Sequence, residues 1–585
     1  MKQSTKTIVL SLLIILGTIL LAFTYILAYD GIFYDVFYFT SIVLFTTPIF
    51  IILLNENVSE NRKVLLIFVL GTIVYILHVF PSTVFFHFSD ELITLQTTNL
   101  IYETGSNNVQ PYFETSKYYF GLEILTVFLK HFTNEEIFLI SKILIGLIHS
   151  TLLTFVYLFF KNITTKKIAI IGAFLYAVST QYIYFDAMFS YESLGIFFVI
   201  SILYLLSKLL KPNNDKQYLI ILMILLFALT ITHPLSSIMF LLFLIILFLF
   251  NTYKVKIKNT NINIHINKLI FLTILFIFGW MIFEASITMK YLVSTFTERF
   301  IKILNIQLIT GTHSVYNTLD GNALSIYEFV IDSFIYVPLV LVLSFIGIYY
   351  VFSKKTEIIN LFTYTLIVYG VLLYIISLIF ISTSGRELAY RSWGFLHIGV
   401  VFFMSVALSK MYERKILSKI FCIICIIFLV IGSFSISNKP VQREPDLLSP
   451  KLVSGSGSLT TDVFYSATWF EKNFGKHNVM VGDKSTSILF NTYGNQNVKT
   501  WSAHRIFIPE KINESVLYGI KEFNIKYIIV DTRMLKSLSE SKKYFDYNGE
   551  INYGSTNLLP VESLNKFNVY DEYYNNGNIL LYNIN

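Results

Sequence analysis

Apolar and polar positions in the first 435 residues alternate on the scale of a bilayer. Runs of Leu, Ile, Phe and Val recur at about 7–28, 37–54, 64–81, 137–160, 168–186, 193–210, 218–232, 238–252, 269–286, 332–352, 358–382, 393–410 and 416–435, with short polar segments between them. A hydrocarbon core of about 30 Å takes about 20 apolar residues per helical crossing. Inside it, backbone polar groups must be satisfied within the segment, which selects helices. The pattern predicts an α-helical polytopic membrane protein of about 13 transmembrane helices, multi-pass in the cell membrane, over residues 1–437. His233-Pro234 splits the pair at 218–252, which reads either as two crossings or as one kinked or re-entrant element, because proline removes a helix donor. The first run is longer than a signal-peptide core and lacks a small-x-small cleavage site, so it reads as a retained helix.

The pattern changes after residue 437. Pro440, Pro445 and Pro450, followed by Ser454-Gly-Ser-Gly-Ser458, read as a linker over 438–459. Residues 460–585 then predict a small soluble α/β domain. Helices are expected over Ser466 to Phe474 and Thr486 to Asn491. Strands are expected at Asn478 to Val481 and Tyr527 to Asp531, with a terminal hairpin from Phe567 to Tyr582.

Composition supports this division. The chain is 55% hydrophobic and only 14% charged, against about 25% in soluble proteins. A net charge of +7 raises nucleic acid as a partner, but the basic residues lie in the segments between apolar runs, which is a topology signal. Twenty Lys and Arg residues fall in one set of these segments, from Lys2 to Lys419, and seven in the other. This bias predicts a cytoplasmic N-terminus and, after an odd number of crossings, an extracytoplasmic C-terminal domain. Cys422 and Cys425 lie within one apolar run and read as small buried residues, because two thiols make no closed zinc site. No nucleotide or phosphate loop and no nucleophile elbow is present, so the sequence requires no cofactor.

Candidate chemistry gathers in the outer segments. Asp90-Glu91 lies in Phe85-Phe-His-Phe-Ser-Asp-Glu-Leu-Ile93, just past the run ending near Phe80. Two adjacent carboxylates can divide labour, one as a general base and the other to orient it or hold a metal. The competing account is that Ser89 or Asp90 caps a surface helix. His87 in the same segment is a substrate-binding candidate. Tyr118 to Phe132 is amphipathic and too short to span, which suits a helix lying on the membrane surface. Asp186 and Glu192 flank a short turn on the same predicted face, either as a second acidic site or as an ordinary polar turn. Arg386 and Arg391 are the cationic candidates there, suited to bidentate phosphate contact or else snorkelling from a helix end. His78 and His149, within apolar runs, suit interhelical hydrogen bonds. His313 and Asp320 are weaker substrate candidates.

The acidic pair after an early helix resembles the first outer loop of the GT-C membrane glycosyltransferases, which include protein O-mannosyltransferases, aminoarabinose transferases and oligosaccharyltransferase catalytic subunits. Tyr118-Tyr-Phe-Gly-Leu-Glu-Ile-Leu125, Ile171-Gly-Ala-Phe-Leu-Tyr-Ala177, Phe185-Asp186, Tyr191-Glu192-Ser-Leu-Gly195 and His233-Pro234-Leu235 extend the likeness over about residues 64–435. Two more helices precede the acidic loop than in the O-mannosyltransferase arrangement, and the tail has no Trp-Trp-Asp motif of the oligosaccharyltransferase kind. The resemblance implies a GT-C type fold, Asp90 as base with Glu91 its partner, and a polyprenyl-phosphate sugar donor. It implies transfer to a glycan, lipid or protein acceptor on the outer face, and it admits a divalent metal. A flippase of lipid-linked saccharides and a non-enzymatic scaffold with an outer binding domain are the alternatives.

Overall fold

The computed structural model describes residues 3–27, 32–80, 84–86, 88–111, 113–209, 216–252, 266–290, 293, 297, 331–353, 360–380, 386–437, 461–500, 503–535, 544–545 and 558–584. Each apolar run becomes helix. In chain order these are α1 (Gln3–Leu27), α2 (Ile32–Leu54), α3 (Glu60–Val79), the two surface-loop helices α4 (Ser89–Thr104) and α5 (Gly121–Thr133), then α6 (Ile137–Ile163), α7 (Lys166–Ala177), α8 (Thr180–Tyr184) and α9 (Tyr191–Leu209). They continue with α10 (Lys216–Thr232), α11 (Pro234–Thr252), α12 (Ile266–Phe283), α13 (Val337–Ser353), α14 (Leu361–Leu366), α15 (Leu373–Phe380), α16 (Arg386–Tyr412) and α17 (Ile416–Ser437).

Ten of the described helical stretches are long and apolar enough to cross a membrane. An eleventh is the pair Lys166–Ala177 and Thr180–Ala187, bent by 56° at its break. The stretches Ile8–Thr24 and Gln217–Thr232 are apolar but shorter. Large side chains such as Leu12, Phe271, Phe283 and Leu417 stand exposed around the bundle, as a lipid-facing surface requires.

Three irregularities shape the interior. His233 separates α10 from α11, and Pro234 opens α11, where its missing N–H has no helical partner to lose. The bend after Ala177 redirects the chain through α8 into a 3₁₀ turn, Phe185–Ala187, that carries Asp186. A π-helical stretch, Ile367–Leu372, joins α14 to α15 and meets α16 at Gly370 and Gly399. A Cβ at Gly399 would come 2.6 Å from the Gly370 Cα, so small residues permit this backbone-to-backbone contact. That contact anchors the helix carrying Arg391.

The C-terminal part is a mixed five-stranded sheet in the order β2-β1-β3-β5-β4. The strands are β1 (Val479–Val481), β2 (Asn497–Lys499), β3 (Tyr527–Asp531), β4 (Asp571–Asn575) and β5 (Ile579–Asn583). β1 pairs in parallel with β2 and β3, while β5 runs antiparallel to both β3 and β4. Among its helices, α18 (Thr461–Phe474) buries one face, and α19 (Lys484–Thr492) is buried from Ser485 to Thr492. Asp483 caps α19 by accepting from the Ser485 and Thr486 amides. The expected hairpin is present but starts later than its sequence suggests, because Lys566–Val569 closes into a 3₁₀ turn. β2 and the helices at Ala503–Phe507 and Glu514–Glu522 were not expected. The predicted linker lies outside the described residues.

Candidate active site

The acidic loop leaves α3, passes Phe85 and Phe86, and enters α4 at Ser89. Neither Ser89 nor Asp90 caps that helix. Glu91 reaches back instead, with Oε2 accepting the Phe88 N–H at 3.4 Å. Its Oε1 accepts the Phe189 N–H at 3.2 Å, which ties the acidic loop to the turn before α9. The His78 Nε2 stands 3.8 Å from the same oxygen, and the His78 ring stacks on Phe88. Glu91 is therefore buried and occupied by backbone donors.

Asp90 points the other way. Its Oδ2 accepts from Arg391 Nη2 at 2.8 Å, and Arg391 Nη1 donates to Glu192 Oε2 at 3.0 Å. One guanidinium thus bridges two carboxylates that approach from α4 and α9. Its flat face lies near the Phe185 ring, 5.9 Å from the centroid. Asp90 and Arg391 keep about a quarter and a fifth of their side-chain surface exposed, so one edge of the bridge is accessible.

Asp186 sits one layer deeper. The Tyr176 hydroxyl lies 3.2 Å from Asp186 Oδ2 and 3.2 Å from the Gly394 carbonyl oxygen, so its single proton serves one acceptor at a time. Gly394 lies beside this carboxyl, where a Cβ would stand at ordinary van der Waals contact, 3.7 Å from Asp186 Oδ1. His233, at the α10–α11 break, packs against the Tyr191 ring at a tilt of 39° and bonds Ser236 Oγ through Nδ1 at 2.6 Å. Gly121 at the start of α5 abuts Thr232, so the surface helix closes against this break.

The structure therefore brings together Asp90, Glu192 and Arg391, with Asp186 adjoining through α16, and places Glu91 behind them. The side chain of Arg386 and all of His87, His313 and Asp320 lie outside the described residues. The His149 ring nitrogens lie 3.2 Å from the Gly71 carbonyl and 2.8 Å from the Tyr182 carbonyl, and its one N–H donates to one of them, in the interhelical role its setting suggested. Cys422 and Cys425 are free and buried in α17. Tyr176 was missed in the sequence. Its only signal was a hydroxyl in an otherwise apolar run ten residues before Asp186. Among the described residues, no group of three or more His, Cys, Asp or Glu side chains converges to hold a metal, and Asp90 and Glu192 both direct oxygens at Arg391.

Glu123 is a further surprise. It lies on α5, fully buried, and neither oxygen finds a hydrogen-bond partner among the described residues. Burial pushes its carboxyl up to about 8.

Residues 122–282 match the dolichyl-phosphate-mannose-protein mannosyltransferase family. No curated protein matches the sequence. Among solved structures, the oligosaccharyltransferase of Archaeoglobus fulgidus superposes with a TM-score of 0.56 at 11% identity, over 82% of this chain and 70% of that one. The same organism's oligosaccharyltransferase AglB, in complex with an inhibitory peptide and a dolichol-phosphate, gives 0.55 at 11% identity over 81% and 70%. A mutant form of the arabinofuranosyltransferase AftD from Mycobacteria gives 0.51 at 10% identity, over 90% of this chain and 42% of that one. The chain thus carries the GT-C fold of membrane glycosyltransferases.

Proposed function

We propose that the protein moves a sugar from a polyprenyl-phosphate carrier to an acceptor at the outer membrane surface. The observation that carries this reading is Arg391, fixed between Asp90 and Glu192 at the polar end of a GT-C bundle. The family match is to dolichyl-phosphate-mannose users, and the AglB neighbour is described with a dolichol-phosphate. Both favour a lipid-linked donor.

In this scheme the donor's hydrocarbon tail lies among lipid-facing helices and its phosphate meets Arg391. An acceptor hydroxyl attacks the anomeric carbon from the side opposite the phosphate. The new carbon–oxygen bond forms as the bond to phosphate breaks, and the electron pair leaves with the phosphate, where Arg391 offsets the charge. Asp90 takes the hydroxyl proton. One displacement inverts the anomeric centre. Glu91, held by the amides of Phe88 and Phe189, orients Asp90 rather than sharing the proton. Glu192 and Asp186 bind the sugar or the acceptor through its hydroxyls. The positive charge beside the leaving phosphate is Arg391's own.

The test is a transfer assay in native membranes with labelled polyprenyl-phosphate sugars, with the product's anomeric configuration read by NMR. Label should reach an acceptor with inversion, and a retained configuration would rule out single displacement. Movement of intact lipid-linked sugar across the membrane without transfer would favour the flippase instead. The twenty-to-seven charge bias supports an outward active face. A reporter fused after Asn438 should accordingly report from outside and one within 254–268 from the cytoplasm.

A further inference from the structure

The C-terminal domain touches the membrane domain at the acidic loop itself. The Tyr493 hydroxyl, at the end of α19, accepts the Phe86 N–H at 3.0 Å. The preceding residue, Thr492, donates through Oγ1 to the Leu92 carbonyl at 3.3 Å. Two consecutive residues of the soluble domain therefore hold the loop on both sides of Asp90, four residues before it and two after. Phe85 stacks on Phe464 of α18, with centroids 5.3 Å apart and planes 15° apart, and Phe464 meets the Tyr493 ring edge-on at 5.0 Å. Phe85, Phe86, Leu489, Phe490 and the Tyr493 ring share one buried cluster.

These contacts differ in kind from ordinary domain docking. A loop that precedes a helix and carries a reacting group has its own freedom unless something fixes its backbone. A shift of about 1 Å at such a group costs on the order of a hundredfold in rate. Glu91 fixes the inner side of the loop through the Phe88 and Phe189 amides. For Phe86 that task falls to the C-terminal part: among the described residues its amide is met by the Tyr493 hydroxyl.

We infer that Tyr493 and Thr492 are positioning residues for Asp90: the soluble domain is a clamp that sets the base against Arg391, beyond any part it plays in holding acceptor. Asp90 is a base only under the glycosyltransferase reading, so the clamp needs one readout that does not depend on activity.

Hydrogen exchange of the full-length protein in nanodiscs supplies it, followed over residues 84–92. Tyr493→Phe removes only the hydroxyl and keeps the ring packing. Thr492→Val removes only the donor, and Thr492→Ser keeps it. The Tyr493→Phe/Thr492→Val double variant should exchange about tenfold faster in this segment and lose about tenfold in kcat, with donor KM unchanged because Arg391 stays on α16. Thr492→Ser should match the wild type in both. Lys476→Ala breaks the exposed pair with Glu103, at the same domain contact but away from the loop, and should leave both unchanged. Unchanged exchange in the double variant overturns the clamp. Faster exchange with unchanged kcat, or a rise in KM equal to the loss, overturns positioning. A wild type that transfers no sugar sinks the glycosyltransferase reading separately, while the exchange arm still decides the clamp.

Discussion

Two ion clusters sit at opposite ends of α3, about 30 Å apart by the rise of a 20-residue helix. At its start, Glu60 is surrounded by cations and a donor. Lys161 and Lys166 both pair with it, the latter at 2.7 Å, and the Tyr157 hydroxyl donates at 2.6 Å. Beyond its far end the balance is reversed. One guanidinium serves Asp90 and Glu192, and Asp186 lies behind them with the Tyr176 hydroxyl 3.2 Å from its Oδ2. The first cluster gives one carboxylate two cations and a hydroxyl donor, and lies in the lysine-rich set of segments. The second has acid to spare around a single cation, which is stable only beside water or a ligand. Surplus charge of one sign, held rigidly at a bundle end, marks where a partner belongs.

Breaking the acidic cluster should therefore affect chemistry, most strongly at Asp90. Asp90→Asn keeps the side chain's shape and removes its basicity, and turnover should fall about 10²- to 10⁴-fold in a membrane transfer assay. Because Glu91 and not Asp90 closes the start of α4, the same variant should unfold at the wild-type temperature. Full activity in Asp90→Asn would return Asp90 to an ion-pair role.

Next in size is Arg391. Its removal should weaken donor binding by about 1.5–3 kcal/mol, the worth of a charge-assisted hydrogen bond, measured as the shift in donor Kd. Arg391→Lys should recover only part, since an ammonium cannot reproduce the planar fork between two carboxylates. Equal donor affinity in wild type and Arg391→Ala would leave the arginine as a brace between α4, α9 and α16.

Smaller still is a pH effect at Glu123. Burial raises its folded-state pKa towards 8, so the fold favours the protonated form. That contribution is complete at acid pH, below the carboxyl's unfolded value, and is lost as pH rises towards 8. Wild-type Tm should decline across this window and Glu123→Gln should decline less. Parallel curves would show that Glu123 keeps a charge in the fold.

Much of the architecture was legible because a bilayer imposes length and polarity on every crossing. The runs at 64–81 and 416–435 needed no tertiary information to become α3 and α17. The bend after Ala177 and the π turn at 367–372 were not legible, since both depend on what the helix packs against, in the second case Gly399. Asp90, Glu192 and Arg391 were each candidates on residue type and side of the membrane. Their meeting was not readable, because 301 and 199 residues separate Arg391 from its two partners. Adjacency in the sequence makes Glu91 the chemical partner of Asp90, yet the Phe189 amide, 98 residues away, gives its carboxylate a structural task that no local pattern reveals. Tyr493 carried no signal at all, because its partner is a backbone amide.

The contrast between the two ends of α3 is tested most directly by measuring thermal stability and transfer rate together, in the same membranes, for Glu60→Gln and Glu192→Gln. Glu60→Gln should lower Tm and leave the rate per folded molecule unchanged. Glu192→Gln should keep Tm and lower the rate, because it relieves a surplus of acid and removes a substrate contact. Loss of rate with Glu60→Gln at unchanged Tm, or loss of Tm with Glu192→Gln at unchanged rate, would contradict the assignment of structure to one end and chemistry to the other.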